Sequence, residues 1–123
     1  MKELRCILFT NREALGAILD RRRKLNDPLP AGAISGFRLE KQEGSIKAMI
    51  LADQGREVLA IAESELQAAL LAHCMARNVP LPVDADKSVY LIRGRATLII
   101  TMNFNKTARL VSMAASEKEM PRH

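Results

Sequence analysis

ESELQAALLAHCMARNVPLP, residues Glu63–Pro82, is the stretch from which the architecture of this chain can be read. Between Leu66 and Ala76 only Gln67 and His73 are polar, so apolar groups stand at nearly every angle around a 3.6-residue helix. Such a helix is expected to be buried on most of its sides. One sheet face covers only one stripe, so a second neighbour is required, either another helix or another copy of the chain. Glu63 and Glu65 place negative charge at the positive end of the helix dipole, and Ser64 with Gln67 has the spacing of a capping box. At the far end Arg77 and Asn78 precede Pro80, which forbids continuation.

The same device occurs earlier. Pro28-Leu29-Pro30 and Pro80-Leu81-Pro82 lie 52 residues apart (80 − 28), and at that offset Cys6–Pro30 lies over Val58–Pro82 without a gap. Glu13 then matches Glu65, Ala17 matches Ala69, Leu19 matches Leu71 and Asn26 matches Asn78, beside the turn itself. Both segments read as apolar strand, helix, Pro-Leu-Pro and two further strands, which predicts two β-α-β-β halves, residues 4–53 and 57–104. One detail runs against the alignment: Thr10 with Glu13 would cap the first helix, two places out of step with Ser64 and Gln67.

Working outward, Leu4–Thr10 is short, apolar and partly β-branched, which predicts a strand, and Asn11–Leu25 is amphipathic, with Leu15, Ile18, Leu19 and Leu25 on one face. Gly16 inside that helix predicts a close approach by another element, since glycine there costs about 1 kcal/mol against alanine. Ala33–Lys41 alternates in the manner of a strand with one wet face, and turns at 42–45 and 53–56 lead into Ile46–Ala52 and Glu57–Ala62. Beyond the central helix, Ser88–Ile92 and Ala96–Phe104 form a hairpin around Arg93-Gly94-Arg95. Along its second strand Leu98, Ile100, Met102 and Phe104 point to the core, and Thr97, Ile99, Thr101 and Asn103 point away. The predicted order is β-α-β-β-β-α-β-β. Layer logic makes this an α+β two-layer sandwich, an antiparallel-rich sheet of about six strands with both helices on one face, in a single domain over 1–104. A partly disordered tail over 105–123, with a weak helical patch around Leu110–Ala115, would follow.

With 123 residues, 48% of them hydrophobic and 27% charged, the chain has the composition of a globular domain. Its apolar runs are too short to span a bilayer and its first residues do not form a signal-peptide core, so a cytoplasmic protein without a membrane partner is expected. Cys6 and Cys74 have no second cysteine or histidine at ligand spacing, which argues against a disulfide framework or metal site. The net charge of +5 favours an acidic partner.

No motif specifies a reaction. His123 is terminal, and His73 neighbours Cys74 on a helix, where adjacent side chains diverge by about 100° and cannot form a nucleophile pair. Glu63 with Glu65 and Asp84 with Asp86 read as a helix start and a solvated loop. No phosphate loop, nucleophile elbow or two-histidine metal motif occurs, so neither catalytic residues nor a cofactor are assigned. The expectation is a small non-enzymatic module that associates with itself as a homodimer. Its contacts would come from Leu71 and Met75 on the central helix and from Thr97, Ile99 and Thr101, a sheet face too apolar for open solvent and too polar for a deep core. The alternative is a nucleic-acid-binding domain in which Arg21, Arg22, Arg23 and Lys24, together with Arg93 and Arg95 at the hairpin tip, neutralise phosphates. Against it, aromatic residues are only 3% of the chain, which leaves little for stacking on bases.

Overall fold

The computed structural model of the protein describes residues 1–29 and 33–103; Phe104 and the predicted 105–123 tail lie outside the described residues. Among these residues the chain runs β1 (Lys2–Leu8), α1 (Asn11–Lys24), β2 (Ile34–Gln42), β3 (Ser45–Ala52), β4 (Glu57–Ile61), α2 (Glu63–Ala76), β5 (Asp86–Ile92) and β6 (Arg95–Asn103). This is the expected α+β order.

The helices are in strict register with each other. Each has 14 residues, and both their starts (63 − 11) and their ends (76 − 24) are 52 residues apart. At the start of α1 the Thr10 hydroxyl accepts from the Glu13 N–H at 3.1 Å, and the Glu13 carboxylate accepts from the Thr10 N–H at 2.9 Å, a complete capping box. The Ser64/Gln67 box does not form, because the N-cap of α2 is Ala62, 52 residues on from Thr10, and Ser64 already lies inside the helix. Tertiary bonds hold this end instead: the Glu63 carboxylate accepts from the Ile46 N–H at 2.7 Å, and the Gln67 amide donates to the Lys87 carbonyl at 3.2 Å. Both helices stop in the same way. Asn26 and Asn78 adopt left-handed φ values of 57° and 59°. The N–H groups of Asp27 and Val79 then reach back to the Arg22 and Cys74 carbonyls, each at 2.9 Å. This is a Schellman stop, and it explains why both halves carry asparagine at that position.

The six strands divide into two antiparallel sheets of three, β1-β6-β5 and β2-β3-β4, rather than one sheet of six. The hairpins β2-β3 and β5-β6 close through Glu43-Gly44 and Arg93-Gly94, with positive φ at both residues of each turn, the mirror-image geometry that suits the strand twist. β5 lies against β2 and β3 without joining their ladder. A register irregularity between Ile34 and Gly36 bends the β2 edge, as bulges do, which opposes extension of the sheet across it. Each hairpin takes its third strand from the other half of the chain: β4 pairs with β3, and β1 pairs with β6. The registers correspond as well, since Ile7 stands opposite Leu98 and Val89 just as Leu59 stands opposite Ile50 and Phe37.

The two helices pack on one another and onto the inner faces of both sheets, around Ile18, Leu66, Leu70, Ile61, Leu98 and Ile100, all fully buried. Buried Ala14, Ala17 and Ala69 allow the helices to come close. α2 is less enclosed than its composition suggests. Leu66, Ala69, Leu70 and Cys74 are buried, but Leu71 is half-buried and Met75 is 67% exposed, because alanines fill the flanks where larger groups would have demanded cover. Gly16 is not a point of close approach, since a Cβ built there would meet nothing within 4 Å.

Candidate functional site

The outer face of the β1-β6-β5 sheet is defined by the ladder. Residues directly opposite one another in antiparallel strands share a face. Leu4, Cys6 and Leu8 of β1 stand opposite Thr101, Ile99 and Thr97 of β6, which in turn stand opposite Asp86, Ser88 and Tyr90 of β5. The alternate residues Ile7, Leu98, Ile100 and Val89 belong to the core, so this set points away from it. It remains open: Leu4 is 62% exposed, Leu8 55% and Tyr90 54%, and Cys6 is a free, exposed thiol. Ile99 and Thr101 are half-buried. Thr97 is fully buried, with Leu8 and Tyr90 flanking it, and its hydroxyl donates to the Arg95 carbonyl at 3.4 Å; it supports the centre of this face rather than offering contact area.

Charge lies only at the two ends of the face, with Arg95 of β6, opposite Ile92, at one end and Lys2 and Asp86 at the other. Lys2, opposite Asn103, stands on the β1 edge, and Asp86, opposite Thr101, stands on the β5 edge. The corresponding outer face of β2-β3-β4 is of another kind, with Arg38, Glu40 and Lys47 across its middle and an Arg38–Glu40 ion pair that holds the Glu40 carboxyl below its ordinary range. The structure therefore separates the five residues expected to mediate self-association. Thr97, Ile99 and Thr101 lie on the outer sheet face, and Leu71 and Met75 lie in the helix layer behind it.

The cationic residues are also dispersed. The Arg22 guanidinium is largely buried and forks onto Glu65, with Nε to Oε2 at 2.6 Å and Nη2 to Oε1 at 3.0 Å, and Asp27 lies 3.8 Å away. That bidentate bond holds the Glu65 carboxyl below its ordinary range, burial opposing it, and raises Arg22. Arg23 pairs with Asp20 at 2.9 Å. Arg21 and Lys24 line a groove of about 220 Å³ between the helices, together with His73 and Arg77. Arg93 and Arg95 are elsewhere. The Phe9 N–H donates to the Ala96 carbonyl at 3.0 Å, which sets that hairpin tip beside the start of α1, about 15 Å of helical rise from Arg21.

His73 has a structural setting: Arg77 Nη1 lies 3.2 Å from its Nδ1, and its ring meets Phe9 edge-on at 5.9 Å. Burial pushes the Cys74 thiol up, away from the thiolate form that nucleophilic chemistry requires. Among the described residues no group of three His, Cys, Asp or Glu side chains is placed to hold a metal, and no helix is long and apolar enough to cross a membrane.

One feature escapes a linear reading. A cavity of about 560 Å³ lies between α1 and the inner face of β2-β3-β4, walled by Leu19, Leu29, Ile34, Ile50 and Leu59, with Glu57 and Arg23 at its polar edge. Its residues come from five separate segments, and only the pairing register brings them together. Compared with known protein families, characterised proteins and solved structures, the chain matches none.

Proposed function

We propose that this protein is a non-enzymatic interaction module that works as a homodimer, two copies packing their β1-β6-β5 sheets outer face to outer face. The observation that carries this reading is the open, apolar face of Leu4, Cys6, Leu8, Ile99 and Tyr90. Stacked sheets sit about 10 Å apart with strands nearly aligned. A two-fold axis lying along the central strand β6 would set Ile99 and Thr101 against their own copies, as an isologous contact requires. The same rotation exchanges the two edges of the sheet while preserving its ends. Lys2 of one protomer then lies one row beyond Asp86 of the other, twice per dimer, so the charges at that end of the face are complementary, while Arg95 at the opposite end meets its own copy. A three-stranded face is about 14 Å wide and about 20 Å long. Two such faces have about 560 Å² of flat area between them, the size of a weak, transient contact, so affinity no tighter than micromolar is expected.

Sedimentation across a concentration series tests this. The expected result is a monomer–dimer equilibrium that Ile99→Lys abolishes and Lys2→Glu weakens several-fold, with the double variant Lys2→Glu/Asp86→Lys recovering most of the loss. Cys6 supplies a second readout, because its reaction with a thiol reagent should slow as the dimer fills. A wild-type protein monomeric to about 100 μM, or a dimer indifferent to Ile99→Lys, would overturn the reading.

A further inference from the structure

The two sides of the molecule close their helix–sheet gaps differently. On the side of the β1-β6-β5 sheet, Arg5 stands on β1 opposite Ile100, one row beyond Ile7 and Leu98 on the inner face. From there Nη1 of Arg5 donates to the carbonyl oxygen of Pro80 at 3.4 Å, joining the sheet to the turn after α2. The corresponding place on the side of the β2-β3-β4 sheet belongs to Glu57, opposite Ala52 and one inner-face row beyond Leu59 and Ile50. The turn after α1 offers the carbonyl of Pro28, the residue that corresponds to Pro80 at the offset of 52 (80 − 28). A carboxylate and a carbonyl are both acceptors, so this pair has no means of closing the gap itself. The gap is the cavity of about 560 Å³, and both Glu57 and Pro28 line it.

We propose that this cavity is a binding site for a small amphipathic amine, a protonated primary amino group on an alkyl body. The ammonium takes the place that the Arg5 guanidinium holds on the side of the other sheet, donating to the Glu57 carboxylate and the Pro28 carbonyl. The alkyl body lies against Leu19, Leu29, Ile34, Ile50 and Leu59. The volume is within the ordinary range of small-ligand pockets, about 300–1,000 Å³, and the proportion is also ordinary, an apolar wall with few polar groups. Arg23 at the rim does not set the charge preference, because Asp20 already compensates it at 2.9 Å. The site lies on the other sheet from the proposed dimer face, so the two proposals stand or fall separately.

The test is an amide-resolved NMR titration with n-octylamine, n-octanol and n-octanoate at matched concentrations below their aggregation limits. Octylamine is expected to shift the signals of Ile34, Ile50, Val58 and Leu59 and to bind at least about tenfold more tightly than either of the others. Glu57→Gln should reduce octylamine to the affinity of octanol. Glu57→Arg, which supplies the missing cation from the chain, should abolish its binding. Glu57 is exposed at a strand end, so both variants should keep the wild-type spectral dispersion. Equal affinity for the three probes, preference for octanoate, or octylamine binding unchanged in Glu57→Gln would overturn the proposal.

Discussion

Gly16 shows how far one residue can be read from its neighbours in the chain. A glycine in a helix interior loses backbone entropy for no packing gain unless something approaches it, and nothing does. Gly16→Ala should therefore stabilise the protein by about 0.5–1 kcal/mol, measured as a rise in the urea midpoint at unchanged slope. A loss of stability would mean that a neighbour closes on this position in solution. Thr97 is a similar case: strand alternation assigns its direction correctly, but only the rows across the sheet show it enclosed between Leu8 and Tyr90. Arg22 differs again. Four consecutive basic residues in sequence suggest one positive surface, whereas the helix keeps only Arg21 and Lys24 together, Arg23 pairs with Asp20, and Arg22 meets Glu65, 43 residues away.

At the scale of the element, the Arg22–Glu65 fork ties the last turn of α1 to the first turn of α2. Glu65 lies near the positive end of its own helix and accepts two charge-assisted bonds, so Glu65→Ala should cost about 2 kcal/mol, most of it from leaving the largely buried Arg22 with only the longer contact to Asp27. The pH dependence has a definite sign. Glu65 and Glu13 are both held below the ordinary carboxylate value of 4.5 in the folded protein. Below that value the unfolded chain binds protons that the native state does not. Their stabilisation is complete above about pH 5 and is lost as pH falls through the depressed folded values. Thermal melts from pH 6 to pH 3 should show this decline, and Glu65→Gln should flatten it. Helix periodicity and stop signals identify both helices from sequence, because those signals are local. The start of α2 is misplaced by two residues because Glu63 and Gln67 bond to Ile46 and Lys87, partners that no local pattern contains.

For the molecule as a whole, the element order and the antiparallel hairpins follow from sequence, since tight turns determine which strands are adjacent. The division into two sheets does not, because the pairing of β1 with β6 joins residues at opposite ends of the described chain. This pairing makes a prediction about cooperativity. Ile7→Ala removes a half-buried side chain opposite Leu98, and hydrogen exchange should accelerate in β5 and β6 more than in β2 and β3, although β2 is much nearer to Ile7 in sequence. A uniform increase would show instead that both sheets open only together. There is also a matter of timing during synthesis. Of the described strands β1 leaves the ribosome first, and its partner β6 is the last of them to follow: Lys2 waits for Asn103, Leu8 for Thr97. At about 5–20 residues per second the delay is on the order of 5–20 s. Throughout that interval β2-β3-β4 can assemble, while Leu4, Cys6, Ile7 and Leu8 remain an unpaired apolar strand beside every other nascent copy on the same message.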